Sequence, residues 1–277
     1  MSSAETAARF AAMHASGCFV LPNPWDVGSA IFLQQLGFKA LATTSGGFAF
    51  SRGLPDGEWA VGRDAVLAHV RDIVGATPLP VNADFESGYA HEPEGVAENV
   101  ALCVDAGAAG LSIEDATGDR NQPLYPLDRA VARIAAARAA IDKSGIPVVL
   151  TARCEVYLVG LPNAARTARE RLVAYAGAGA DCLFAPGMRD AGEIGELVRA
   201  VAPKPVNVLV SAPSAGVSVA RLAELGVRRV SVGSALARAA WGGFARAARE
   251  LATAGTFGGL GDALPFAELN ALFHGRR

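Results

Sequence analysis

Eight times along the chain a short apolar run rich in Val, Ile, Leu and Phe is followed by an alanine-rich stretch of helical spacing. This alternation limits the fold more than any single residue does. The strand segments are CFVLPN (18–23), KALATTS (39–45), PVNADFE (80–86), AGLSIED (109–115), IPVVLTARC (146–154), DCLFAPG (181–187), KPVNVLV (204–210) and RRVSVGS (228–234). Helical segments lie near 27–36, 60–74, 94–106, 127–142, 164–178, 190–201, 216–225 and 235–254. Continuously apolar strands are covered on both faces, so eight such strand–helix units predict an α/β fold, a single (β/α)8 TIM barrel. In AENVALCVDAGAAGLSIED, RERLVAYAGAGADCLFAPG and SVARLAELGVRRVSVG the same half-unit recurs: amphipathic helix, glycine at its end, next strand.

No linker or composition shift divides residues 1–277 before about residue 255, so one barrel domain is expected. There GTFGGLGDALPFAELNALF begins a glycine-rich hinge and a last helix, a 255–277 segment extra to the barrel. The opening MSSAETAARFAAMHASGCFV carries Glu5, Arg9 and His14 and reads as a short amphipathic helix, neither a signal peptide nor a membrane span. With 277 residues, 51% of them hydrophobic, the chain can bury a large core. A net charge of -2 offers no attraction for nucleic acid or an anionic membrane, leaving small molecules as the expected partners. Cys18, Cys103, Cys154 and Cys182 are scattered without CxxC spacing, which fits reduced thiols in a cytoplasmic protein.

Barrel chemistry sits at the C-terminal ends of strands. The polar residues there are Asn23, Thr44 with Ser45, Asp84 with Glu86, Glu114 with Asp115, Arg153 with Glu155, and Asn207. Strand periodicity puts Asp84 and Glu86 on one side and Phe85 on the other, and Glu114 adds a third carboxylate. Three unpaired carboxylates in a partly dry pocket repel one another unless a cation neutralises them. All-oxygen ligation favours Mg2+ or Mn2+ over Zn2+. The same acids also suit helix capping or ion pairing with Arg153.

Asp84-Phe85-Glu86-Ser87-Gly88-Tyr89, followed at the next strand by GAAGLSIED, resembles the isocitrate lyase and phosphoenolpyruvate mutase superfamily. The resemblance runs from NPWDVGSAIFLQQLGFKALATTSGGFAFSRGLPDG through TARCEVYLVG to AGADCLFAPG, nearly the whole barrel. It implies Mg2+ bound directly by Asp84 and through waters by Glu86 and Glu114. It also implies a substrate carboxylate and oxyanion held by the backbone around Thr44, Ser45 and Gly46, an arginine grip from Arg153, and Asp56 in a loop over the substrate. The sequence departs from the family's lyases after the fourth strand. EDATGDRNQPLYPLDRA contains none of the Cys, Lys or His of their K-[KR]-C-G-H loop, and Pro186 stands where a strand-six His or Glu is expected.

The leading reading is a lyase or decarboxylase acting on a 2-oxo acid or its enolate, on pyruvate, oxaloacetate or a 2-oxo dicarboxylate. The alternatives are phosphonate chemistry of the phosphoenolpyruvate/phosphonopyruvate type, a phosphate site at Gly233 and Ser234, and a non-catalytic 2-oxo-acid binding protein. Lys39, Lys143 and Lys204 lie at strand starts, on the wrong face for a Schiff base. Cys154 is expected in the core, and His14, His69, His91 and His274 on the surface. Trp25 is expected to pack, and Asn207 fits either the pocket or the wall. Helix exchange between subunits, as the resemblance implies, and the apolar Phe266, Leu269, Leu272 and Phe273 predict a homodimer or homotetramer.

Overall fold

All eight expected strands form in the computed structural model, which describes residues 2–214 and 216–274, so residues 275–277 of the expected C-terminal segment lie outside the described residues. They are β1 (Phe19–Leu21), β2 (Leu41–Ala42), β3 (Val81–Asp84), β4 (Gly110–Glu114), β5 (Val149–Arg153), β6 (Cys182–Phe184), β7 (Val206–Leu209) and β8 (Arg229–Ser231). Every pairing is parallel, in the order β1-β8-β7-β6-β5-β4-β3-β2. One backbone bond and the Asn23 side chain close the remaining seam. The Ala42 amide donates to the Pro22 carbonyl at 3.0 Å, and Asn23 Nδ2 donates to the Thr43 carbonyl at 2.8 Å. Asn23 Oδ1 accepts from the amides of Val232 and Gly233, so one buried amide side chain ties the ends of β8 and β2 together.

Between the strands lie α2 (Val27–Gln35), α4 (Arg63–Ala76), α5 (Pro93–Asp105), α6 (Leu127–Ser144), α7 (Ala164–Gly177), α8 (Ala191–Val201) and α9 (Val219–Glu224). The recurring glycines act as read: Gly107, Gly179 and Gly226 take φ of +90°, +104° and +89° after their helices, values that L side chains resist. One helix was not anticipated. The chain after β2, read as a loop, coils into α3 (Ser45–Ser51), capped by the Thr44 side chain on the Gly47 amide.

The barrel floor is plugged by α1 (Ser3–Met13), which starts with a Ser2–Glu5 capping box. Phe10 is fully buried, and its ring packs edge-on against His14 and Phe19. His14 is therefore core, as is His69, stacked on Phe48 at 3.8 Å; the surface expectation fails for both. Apolar helix faces recruited them, and burial lowers their pKa to about 3 and about 4, keeping both neutral. His91 and His274 are exposed as expected.

After β8 the packing thins. Helix α10 (Ala235–Thr253) has one buried residue, Ala237, and leaves Trp241 and Phe244 exposed. Helix α11 (Phe266–Phe273) folds back on α2, where Gln35 Nε2 donates to the Leu272 carbonyl at 2.8 Å, yet Phe266 is 85% exposed. Among the described residues no helix is long and apolar enough to cross a membrane.

The floor generates a stability prediction. A Cβ on Gly110 would stand 2.6 Å from Phe10 Cε1 and 2.8 Å from Asn82 Oδ1, with no space to relax into. Gly110→Ala should cost about 1–3 kcal/mol and lower the melting temperature by several degrees in a calorimetric scan. An unchanged transition would show that the α1 plug is loosely seated.

Candidate active site

The strand-end groups converge on one arginine. Arg153 Nη1 meets Asp84 Oδ1 at 2.7 Å, Nη2 meets Glu114 Oε2 at 2.9 Å, and Nε meets Glu155 Oε1 at 3.0 Å. Strand register makes this cluster: Glu114 pairs directly with Arg153 across β4 and β5. The Phe184 ring lies 5.4 Å from the guanidinium on the neighbouring strand. Burial opposes the charge of Arg153, but Glu114, Glu155 and Asp84 hold its pKa well above the usual value. Burial pushes Glu114 well above the ordinary carboxylate range, against the pull of Arg153. One guanidinium shared among three carboxylates leaves negative charge uncompensated.

Asp84 is held from a second direction. Its Oδ2 accepts from the Ser45 amide and from Ser45 Oγ, both at 2.8 Å, and its own amide donates to Thr43 Oγ1 at 2.8 Å. The Ser45 amide, expected to face a substrate anion, thus holds a protein carboxylate in this state. Gly46 answers to a different need: a Cβ there would come within 2.7 Å of Asp56 Oδ2, so a side chain at that position would push the Asp56 carboxylate from its place. Asp56 has a raised pKa, first from burial and then from the charge of Asp84.

These groups line a cavity of about 210 Å3 at the C-terminal end of the barrel. That is small beside the ~300–1,000 Å3 of pockets for drug-sized ligands, and it suits a small acid. Thr44, Ser45, Gly46, Asp56, Asp84 and Arg153 are all on its wall. So are Asn207, Pro186, Gly233 and Ser234.

Glu86 and Glu114 stand outside the lining. Strand alternation fails for Glu86 because β3 ends at Asp84 and Glu86 itself turns to φ +45°. Its Oε2 accepts from the Trp59 amide at 2.7 Å and its Oε1 from the Tyr89 hydroxyl at 2.6 Å. Burial raises its pKa to about 7 against those hydrogen bonds. The three carboxylates are therefore not unpaired on one rim: Arg153 pairs with two of them, and Tyr89 with Trp59 holds the third. Among the described residues no three His, Cys, Asp or Glu side chains are grouped closely enough to hold a metal ion together.

Arg133, Arg171 and Tyr175, which support the site, escaped the sequence reading. Asp115 accepts from Arg171 Nε at 2.7 Å, the Tyr175 hydroxyl at 2.6 Å and the Glu155 amide at 2.8 Å, anchoring the residue that braces Arg153. Arg133 donates to the Ser87, Ala90 and His91 carbonyls and fixes the turn after β3. Asn207 lines the cavity with its amide already engaged, accepting from Arg229 Nε and donating to Ser231 Oγ, both at 2.9 Å. Strand periodicity carried the signal for Arg229 and Ser231, which share the inward face of β8. Cys154 is fully buried, and burial raises its thiol pKa, as a core residue requires.

The family model for phosphoenolpyruvate phosphomutase matches residues 10–252. The chain belongs to that family. It is thereby a member of the isocitrate lyase/phosphoenolpyruvate mutase superfamily of carbon–carbon lyases and mutases. An uncharacterized protein of Mycobacterium tuberculosis is 38% identical over 256 residues, 91% of each chain. An oxaloacetate decarboxylase of Chromohalobacter salexigens is 30% identical over 81% of this chain and 77% of its own. Among solved structures, a Burkholderia cenocepacia protein matches with a TM-score of 0.94 and 49% identity, covering 99% of this chain and 97% of that one. Oxaloacetate acetylhydrolase with bound oxalate matches with a TM-score of 0.86 and 25% identity over 98% and 93%.

The environment of Glu86 predicts a pH dependence. Its folded pKa, about 7, lies above the ordinary 4.5, so the stability it contributes is full below 4.5 and is lost as pH rises through 7. Glu86→Gln cannot titrate. In metal-free buffer the melting temperature of the variant minus that of the wild type should rise between pH 4.5 and 7 and then level off. A flat difference would mean that Glu86 ionises as an ordinary carboxylate.

Proposed function

We propose that this protein is a Mg2+-dependent lyase or decarboxylase that makes or consumes the enolate of a small 2-oxo acid, such as pyruvate, oxaloacetate or a longer 2-oxo dicarboxylate. One observation carries the reading: Asp84, Asp56 and Arg153 meet on the wall of a small cavity, with more buried negative charge behind it than Arg153 neutralises. That donor set fits a hard divalent cation, Mg2+ or Mn2+, at Asp84 with Asp56 beside it. Glu86 and Glu114, outside the lining, would reach such an ion only through water. When bound, the ion would supply positive charge to the oxygen on which an enolate develops.

The chain's own groups account for the remaining requirements. Arg153 spends three N–H donors on carboxylates and keeps two for a substrate carboxylate. Asp56, with its carboxyl at the cavity wall, is placed to exchange the proton that an enolate collects. It takes the role left open by the missing loop cysteine. Phe184, Leu158 and Pro186 keep that side of the cavity dry. The oxaloacetate decarboxylase and oxaloacetate acetylhydrolase among its relatives support this substrate class. Phosphonate chemistry is the second reading, favoured by Gly233 and Ser234 on the cavity wall at the start of α10.

Asp84→Asn should abolish metal-dependent binding of pyruvate while the fold survives, and Arg153→Lys should weaken it about tenfold despite the kept charge. Calorimetry with and without Mg2+ checks both; unchanged affinities would place the acid elsewhere.

We propose also that the chain assembles as a homodimer or homotetramer, burying the apolar face of α10 and the C-terminal segment on a neighbouring copy. The support is the exposure of Trp241, Phe244 and Phe266 on helices that barely touch their own barrel. Phe244→Glu should shift the mass measured by light scattering toward monomer, and truncation before Gly255 should do the same if the tail takes part. A native mass in both would clear these helices of any role in assembly.

A further inference from the structure

Two stretches of chain leave the cavity end of the barrel, one after β4 and one beyond α3, and they are held differently. The one after β4 is tied across itself. Ala116 bridges Leu124, the Thr117 amide donates to the Pro123 carbonyl at 3.0 Å, and the Tyr125 amide donates to the Asp115 carbonyl at 2.9 Å. Residues 53–62, between α3 and α4, form neither helix nor strand. Their first part, Gly53 to Gly57, is exposed throughout and carries Asp56. Gly53 takes φ +71°, and a Cβ on Gly53 or on Gly57 would meet nothing within 4 Å. A glycine in open space stands at each end, where the backbone turns most freely.

Of the two carboxylates on the cavity wall, Asp84 accepts from Ser45 and Arg153, but Asp56 makes no hydrogen bond or ion pair with a described residue, through its amide or its carboxylate. The charge of Asp84 acts on it more strongly than that of Arg153, so the local field pushes it outward. The residues that follow are fastened. The Trp59 amide donates to Glu86 Oε2 at 2.7 Å, its indole Nε1 donates to Ser87 Oγ at 2.9 Å, and its ring lies 4.9 Å from that of His91. The Ser87 hydroxyl donates to the Glu58 carboxylate, and Val61 is buried. Trp59 takes φ +52°, a conformation that a tryptophan keeps only when its surroundings impose it.

We infer that residues 53–57 are a flap, hinged at Gly53 and Gly57 and latched by Trp59, that swings Asp56 clear of the cavity to admit an acid and returns it once the acid is bound. An anion approaching the cavity is repelled by the Asp56 carboxylate, so entry is favoured with the flap out. The latch at Trp59 keeps the swing local: five residues move, and the chain on either side stays on α3 and on the turn after β3. The flap goes beyond the 2-oxo-acid reading of the site and needs from it only that the ligand is an anion.

Amide hydrogen exchange of the intact protein, read residue by residue by NMR, tests it, with calorimetry on the same samples. In the free protein Asp56 and Gly57 should exchange nearly as fast as an unstructured chain, and the hydrogen-bonded amides of Trp59, Ala60, Thr117 and Tyr125 about tenfold or more slowly. Saturation with Mg2+ and pyruvate should slow Asp56 and Gly57 about tenfold or more and leave Thr117 and Tyr125 as they were. In free Trp59→Ala, fast exchange should extend to Ala60, and pyruvate should bind about tenfold more weakly because the closed flap is less populated. Trp59→Phe, which keeps the ring and loses the indole donor, should restore part of both. Protection of Asp56 and Gly57 in the free protein, or none in the complex, would overturn the flap. Faster exchange at Thr117 and Tyr125 in Trp59→Ala would make Trp59 a residue of the fold at large and overturn the latch. If calorimetry shows no pyruvate binding, the 2-oxo-acid reading fails, and the rates in free wild type and free Trp59→Ala still decide the flap.

Discussion

A single guanidinium shared by three carboxylates organises this molecule's working end. Arg153 reaches Asp84 on β3, Glu114 on β4 and Glu155 just past its own strand, so it ties together three successive stretches of the barrel wall. An arrangement like this contributes little net stability, because desolvating four charges costs about as much as their attraction returns. What it fixes is geometry and charge. Removing Arg153 would leave three acids to repel one another, and removing one acid would relax the excess of negative charge that suits the site to a cation.

The surroundings follow from that constraint. Asp84 is pinned by the first turn of α3, Glu155 by Asp115, and Asp115 by Arg171 and Tyr175 from α7. Each of these groups is oriented by a neighbour, and Asp115, Arg171 and Tyr175 do so from outside the cavity lining, which is how side chains are held within the small tolerance that chemistry on a bound substrate demands. The barrel interior below is unusually polar for this fold. Asn82, Ser112, Thr151, Asn207 and Arg229 occupy places where branched aliphatic side chains commonly pack. Such a core is tolerable because hydrogen bonds cross from strand to strand, as between Asn207 and Ser231 and between Arg229 and Thr151.

The fold was legible because it is written in redundant signals: eight apolar runs, helical spacing between them and glycines with positive φ at the joins. The strand-end positions were legible for the same reason, since a barrel concentrates polar residues where strands finish. The failures share a cause. Glu86 was assigned by alternation two residues beyond the strand's end, and α3 was hidden because Ser-Gly-Gly favours a turn until Thr44 caps it. His14 and His69 were misplaced because amphipathic helices bury polar rings whenever a neutral partner is at hand, and spacing does not reveal the partner. The second arginine on β8 was visible as an inward position, but no local pattern distinguishes an inward arginine in a barrel core from one at a strand start on the surface.

The departure from the family's lyases is informative in the same terms. Without Cys, Lys or His in the chain after β4, that segment supplies no acid of ordinary lyase type, and the structure spends part of it on an antiparallel bridge between Ala116 and Leu124 and on seating Tyr125. A carboxyl that is to deliver a proton near neutrality must be buried beside another negative charge, or it ionises too early. Asp56 stands beside the charge of Asp84 at the cavity wall, and partial burial with that charge raises its pKa, although the residue as a whole stays exposed. Under the proposed function the proton-donating position would lie in the loop after the second strand instead of the loop after the fourth, and Gly46, against which the Asp56 carboxylate rests, would belong to the site with it.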